Sequence, residues 1–151
     1  MTRVYDEDLE AGFGTRAIHA GQRPEPLAGA IMTPVYMTST YVQDGLGRNK
    51  GYEYARGKNP TREALERNVA ALEGGRHGFA FSSGTGCVDS LMKMFRSGDH
   101  IVVGENVYGG TFRLFDRILQ YMGLCFSYVD TRDPQRIADA VTDRTRALLV
   151  E

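Results

Sequence analysis

Residues 98–130 read GDHIVVGENVYGGTFRLFDRILQYMGLCFSYVD, and this stretch decides the fold. Ile101 to Gly104 form a short apolar, β-branched run, which predicts a buried strand. A helix is expected from about Gly110 to Met122, with Gly123 as the residue that stops it. Residues 124–130, LCFSYVD, then return to strand character. Strand, helix and strand of these lengths make a crossover unit, whose two strands run parallel.

The same alternation extends in both directions. Downstream, Asp133-Pro134 caps a further helix and RALLVE closes the chain as a strand. Upstream, GFAFSS reads as a buried strand, and Val88, Leu91, Met92 and Phe95 trace a helix that ends at Gly98. Before it, Asn59 and Pro60 form an N-cap and first-turn pair, and Leu65, Val69 and Leu72 fall on one face until Gly74-Gly75 stop the helix. Glu63 and Arg67 add a favourable pair one turn apart. The chain is therefore expected to be an α/β protein, a mostly parallel sheet with helices on both faces. Residues 1–50, rich in Gly, Pro and Thr, predict an extended N-terminal arm wrapping over its own body or a neighbouring subunit. Glu151 falls at the carboxyl end of a strand, where chemistry usually begins, so residues 51–151 read as the first part of a larger domain.

Composition narrows the partners. The 151 residues carry a formal net charge of −1 with acids and bases interspersed, which argues against a nucleic-acid or membrane-surface partner and for a small molecule. Cys87 and Cys125 stand far apart in apolar neighbourhoods without metal-ligand spacing, and read as buried free thiols with no metal. The N-terminal MTRVYDEDLEAGFG has no apolar core of the kind a signal peptide needs, so a reducing, cytoplasmic setting is expected.

Three stretches carry chemistry. Ser82-Ser83-Gly84-Thr85-Gly86 lies between a predicted strand and a helix start, where unpaired amides and the helix dipole favour an anion such as phosphate. A plain capped turn accounts for the same residues. The turn is neither a Walker loop nor a dinucleotide G-x-G-x-x-G, because the required Lys and third Gly are missing. In GYEYARGKNP, Tyr54 and Arg56 are two residues apart and point the same way if the segment is extended, a pair suited to phosphate or to ordinary surface packing. In ENVYGGTFRLF, Tyr108 follows a strand and precedes Gly109-Gly110, either packing or stacking on a flat ligand, and Arg113 reads as a helix-surface charge.

Together these stretches resemble the Cys/Met metabolism family of pyridoxal phosphate enzymes, of the cystathionine γ-synthase and γ-lyase type. The resemblance runs from TRAIHAGQ through TPVYMTSTYV, YEYARGKNPTREALERNVAALEGG, SSGTG, GDHIVV and VYGGTFRLF to RALLVE, nearly the whole chain. It implies the aspartate aminotransferase-like transferase fold (fold type I), with residues 51–151 as the first part of the cofactor-binding large domain. It implies pyridoxal 5'-phosphate as cofactor. Gly84 and Thr85 then match the phosphate cradle, and Tyr54 and Arg56 match a pair that reaches the phosphate in a neighbouring subunit's active site. Tyr108 matches a catalytic tyrosine stacked on the pyridine ring, near the substrate amine. Arg56, Tyr108 and Arg113 match substrate-contacting positions. The subunits are expected to form a homodimer that builds a homotetramer.

The resemblance also implies a reaction: elimination or replacement at the γ carbon of cystathionine or an activated homoserine. Gly110 stands where methionine γ-lyases typically carry a cysteine, which argues against that activity. The Schiff-base lysine and the acid that faces the ring nitrogen lie downstream of Glu151 in the family, and Lys50, Lys58 and Lys93 match neither position and read as surface charge. Residues 1–151 alone are accordingly expected to be inactive. The rivals are a catalytically incomplete homologue serving as an assembly or interaction module, another sulfur amino acid lyase or sulfhydrylase, and an unrelated α/β enzyme that uses the SSGTG turn to bind a phosphate.

Overall fold

The computed structural model describes residues 10–151, so the readings of the first nine residues lie outside the described part. The chain forms two compact units, 1–80 and 81–151.

The first unit is built around α2, Pro60–Leu72, with the shorter α1, Phe13–His19. Asn59 caps α2 as the sequence predicts, its side chain accepting from Thr61 N–H, and Pro60 takes the first helical position. The same corner fastens the segment before it. Thr61 Oγ1 donates to the Pro34 carbonyl and accepts from Tyr36 N–H, both at 2.9 Å, and Asn59 Nδ2 donates to the Tyr36 carbonyl at 3.0 Å. At the far end of α2, Gly74 turns the chain with φ +65°.

Helix α1 lies in the segment expected to be an extended arm, and side chains of that segment and of α2 tie the two helices together. Arg16 donates to the Ala71 carbonyl at 2.6 Å, and Asn68 Nδ2 caps α1 by donating to the Arg16 and Ala20 carbonyls. Ala20, Ala70 and Ala71 form the small core between them. Gly21, at φ +76°, follows directly, and a Cβ there would sit 2.5 Å from that of Arg67. The face of α2 differs from the expected one. Leu65 and Val69 are 55% and 46% exposed, whereas Glu63, Ala70 and Ala71 are buried. The partner of α2 in this unit is the short α1 with Ala20 at its C-cap, a close approach that selects short side chains rather than the leucine face.

In the second unit three parallel strands, β1 (His100–Gly104), β2 (Cys125–Val129) and β3 (Thr145–Leu149), lie in the order β2-β1-β3. The central β1 is buried along its whole length, as a strand with a neighbour on each side must be. Ile101 and Val103 join Met92, Leu114, Phe115, Leu119 and Leu124 in the main core, where the Phe115 and Phe126 rings stack with centroids 4.5 Å apart. Helix α3 spans Gly84–Met92, α4 spans Gly109–Leu114, and α5 spans Pro134–Ala140 behind its Asp133 cap.

Two elements depart from expectation. Residues 78–83 form no strand, although GFAFSS has strand composition. A strand needs a ladder, and the described three-stranded sheet ends at β2 and β3 without reaching these residues. Within the first unit, Gly78 and Ala80 lie against α2: Ala80 N–H donates to Glu66 Oε1, and a side chain at Gly78 would collide with the Glu66 carbonyl. The expected helix from Gly110 to Met122 begins as α4 and widens into a π-helical turn, Phe115–Leu119, whose Gln120 N–H reaches back to the Phe115 carbonyl. That turn sends Phe115 and Leu119 into the core.

Cys87 and Cys125 are free, and half-buried rather than buried. Among the described residues no helix is long and apolar enough to cross a membrane.

Candidate active site

The SSGTG turn is at once a capped turn and an open donor site. Ser83 has extended backbone and serves as N-cap of α3, its Oγ accepting Gly86 N–H at 3.0 Å, while its carbonyl accepts Cys87 N–H. Capping thus uses the Gly86 amide. The amides of Gly84 and Thr85, the first two of the helix, have no acceptor among the described residues. Nothing lies within 4 Å of where a Gly84 side chain would project, so an anion can come close to these donors.

Tyr108 and Arg113 share α4, which packs against α3 within the second unit. Tyr108 stands at the N-cap of α4, just past the carboxyl end of β1, and is 62% exposed. Its N–H donates to Glu151 Oε2 at 2.7 Å, so the residues following β1 and β3 are joined at that edge of the sheet. Gly110 lies directly beneath the ring, where a Cβ would collide with Tyr108 Cε1. Arg113 is exposed on the last turn of the helix.

Tyr54 and Arg56 belong to the first unit and do come together, though not by strand alternation. The chain turns at Tyr54, whose carbonyl accepts both Gly57 N–H and Lys58 N–H at 3.0 and 2.9 Å. This turn brings the Arg56 guanidinium over the Tyr54 ring, 4.8 Å from its centroid. A cleft of about 420 Å³ opens beside them, lined by Asn49, Gly51, Glu53, Tyr54, Gly57 and Lys58.

Sequence reasoning missed the group that organises this loop. Glu63 is buried, accepts the Tyr52 hydroxyl at 2.8 Å, and pairs with Lys58 at 3.2 Å and Arg67 at 3.6 Å. Burial raises its pKa, but the Tyr52 hydrogen bond and the two cations outweigh it and hold the carboxyl below its usual range. Lys58 is therefore an ion-pair partner of a buried acid, not a plain surface charge. The only signal in the sequence was an acid in the first turn of a helix, which reads as the partner of Arg67 alone. His100 was missed as well: buried in β1, it binds Thr145 Oγ1 of β3 and Ser127 Oγ of β2 at 2.8 and 2.9 Å, tying the three strands together.

The family model for Cys/Met metabolism PLP-dependent enzymes matches residues 14–151. The chain belongs to this family. Its fold is accordingly the expected PLP-dependent transferase type, seen here as a partial α/β layer with a parallel sheet. Among curated relatives, a probable cystathionine gamma-synthase of Herpetosiphon aurantiacus is 48% identical over 143 residues, which are 95% of this chain and 45% of that protein. A cystathionine beta-lyase of Coxiella burnetii is 51% identical over 97% of this chain and 38% of its own length. The crystal structure of cystathionine gamma-lyase from Lactobacillus plantarum complexed with L-serine superposes with a TM-score of 0.85 at 46% identity, covering 92% of this chain and 36% of that one. The chain thus spans between 36% and 45% of the length of these relatives.

The cofactor of the family is pyridoxal phosphate, and the residues present fit it chemically. Two open amides at a helix start suit the phosphate, a stacked Tyr-Arg pair can supply one hydroxyl and a guanidinium, and an exposed tyrosine ring offers a face for a flat heterocycle.

Proposed function

We propose that this protein is a pyridoxal phosphate-dependent trans-sulfuration enzyme acting at the γ carbon of cystathionine or an activated homoserine. The observation that carries the reading is the division of labour at the α3 start, where Ser83 caps one amide and the next two donors stay open beside a side-chain-free Gly84. Residues 51–151 are the first part of the cofactor-binding large domain and residues 1–50 its arm.

In this reading Gly84 and Thr85 amides hold the phosphate, and Tyr54 and Arg56 reach the phosphate of a neighbouring subunit. Tyr108 stacks on the pyridine ring, and its hydroxyl takes and returns a proton at the substrate amine. Arg113 and Arg56 hold the substrate carboxylate, for which a guanidinium provides two parallel donors. The bound cofactor supplies the electron sink that makes a carbanion beside the amino nitrogen accessible. A role across subunits requires a homodimer, and two dimers make the homotetramer. The exposed Leu65 and Val69 on α2 supply apolar surface of the kind such assembly buries. The free thiols of Cys87 and Cys125 are consistent with a cytoplasmic setting.

A second reading has one specific support: the Coxiella relative, named a cystathionine beta-lyase, is 51% identical. The two differ in which side of the sulfur is cut. Cleavage of cystathionine at the γ carbon yields cysteine, ammonia and 2-oxobutyrate, whereas cleavage at the β carbon yields homocysteine, ammonia and pyruvate. The test is to give the full-length protein cystathionine, or an O-acylhomoserine with cysteine, and identify the keto acid or thioether formed. Product from the four-carbon skeleton supports the γ reading; pyruvate alone replaces it with the β reading; neither product removes the enzyme assignment.

A further inference from the structure

The loop that carries Tyr54 and Arg56 is gripped by two consecutive residues of α2. Tyr52, two positions before Tyr54, donates to Glu63 Oε2, and Lys58, two positions after Arg56, pairs with Glu63 Oε1. One buried carboxylate therefore holds both shoulders of the loop. The Lys58 ammonium also lies over the Tyr52 ring, 5.5 Å from its centroid, so the shoulders touch each other. Between them, the neighbouring Arg62 donates to the Ala55 and Gly57 carbonyls at 3.1 and 2.6 Å, on either side of Arg56. The Arg62 side chain is itself braced by Glu66 at 3.5 Å.

Arg56 and Tyr54 are exposed, and the guanidinium's own contact is the Tyr54 ring. Their placement is thus set by the backbone beneath them. A flexible arginine grips a phosphate tightly only when its backbone is fixed to within a fraction of an ångström. A surface ion pair would do this poorly. Glu63 is buried, accepts a neutral donor and a cation from opposite ends of the loop, and belongs to a helix whose start is locked by Asn59 and Pro60.

We infer that Glu63 is a positioning residue for cofactor binding: through Tyr52 and Lys58 it presets the Tyr54–Arg56 loop to meet the phosphate. This rests on the reading that Arg56 contacts that phosphate. Glu63 is buried beneath the loop and acts through Tyr52 and Lys58.

The test uses full-length protein stripped of cofactor, with dissociation constants measured for pyridoxal phosphate and for pyridoxal, which lacks the phosphate. The dissociation constant for pyridoxal divided by that for pyridoxal phosphate reports the grip on phosphate independently of turnover and of ring binding. Tyr52→Phe, which removes one hydroxyl, and Glu63→Gln, which removes the charge at nearly constant shape, should each lower this ratio roughly tenfold while leaving pyridoxal affinity unchanged. Tyr52→Phe is the milder change and keeps the experiment decisive if Glu63→Gln folds poorly. Arg56→Ala is measured alongside. If Arg56→Ala lowers the ratio and Tyr52→Phe adds nothing on top of it, the two act in one path and the inference stands. If Arg56→Ala lowers the ratio but neither Tyr52→Phe nor Glu63→Gln does, Glu63 is only structural and the inference fails alone. If Arg56→Ala leaves the ratio intact, the phosphate role of Arg56 fails and the inference falls with it.

Discussion

The backbone N–H of Tyr108 donates to the Glu151 side chain at 2.7 Å, joining two residues 43 positions apart at the carboxyl edge of the sheet. A charge-assisted hydrogen bond of this kind fixes the N-cap residue of α4, and with it the direction in which the Tyr108 ring leaves the backbone. Replacing Glu151 by Ala in the full-length protein should lower turnover roughly tenfold while cofactor affinity changes less than about threefold, because the ring stays present but is less well aimed. Glu151→Gln, which keeps an acceptor, should fall between. Steady-state kinetics with parallel cofactor titration checks this, and an Ala variant indistinguishable from the parent protein would remove Glu151 from the account.

Tyr108→Phe separates stacking from proton transfer. The ring area is unchanged, so cofactor binding should hold within about twofold, whereas loss of a positioned hydroxyl should slow turnover by about 10²-fold or more. Unaltered turnover would leave the hydroxyl without a chemical part.

Gly110→Ala tests the close approach of ring and backbone. The added methyl group would collide with Tyr108 Cε1, and since the ring is exposed it will swing aside rather than unfold the helix. The melting temperature should change little, and the cofactor's absorbance band should shift or weaken as its stacking partner moves. An unchanged band with normal affinity would show that the ring does not lie against the cofactor.

Much of this was legible in the sequence, for local reasons. Asn59-Pro60 and Asp133-Pro134 mark helix starts because cap and first-turn chemistry is read within four residues, and both caps form. The β1 strand was legible because residues 101–104, IVVG, form the apolar run of a buried parallel strand, whereas His100 at its start was not. What stayed hidden depends on partners distant in sequence. GFAFSS has strand composition, but its Gly78 and Ala80 lie against Glu66 and no ladder forms, and Leu65 and Val69 have a helix period but are exposed. Tyr54 and Arg56 were legible as a pair, yet the contact arises from a turn stabilised by Arg62 and Glu63, which no short motif encodes.

Acid should reveal the Asp130–Arg132 pair. The Arg132 side-chain and backbone hydrogen bonds hold the Asp130 carboxyl down at about 2, against 3.8 for an isolated aspartate. A depressed folded pKa contributes stability that is complete above the unfolded value and is lost as pH falls toward the folded one. The contribution should therefore persist at pH 4 and disappear between about pH 4 and pH 2. Carboxyl ¹³C titration of Asp130 by NMR should give a midpoint well below that of a free aspartate, and Arg132→Ala should return it to the ordinary range. An ordinary midpoint in the parent protein would contradict the pair.

In the proposed reading, open amides at the start of α3, with an arginine of a neighbouring subunit, hold the cofactor phosphate. A free phosphate monoester loses its second proton near a pKa of about 6, so its ³¹P resonance moves across that range. Fixed donors and a guanidinium favour the dianion and should suppress this titration. The most direct measurement is the ³¹P resonance of the cofactor bound to the full-length protein, followed from about pH 5.5 to about pH 8.5. The bound signal should stay at the dianion position throughout. A resonance that titrates like the free ester would place the phosphate in solvent and contradict that reading.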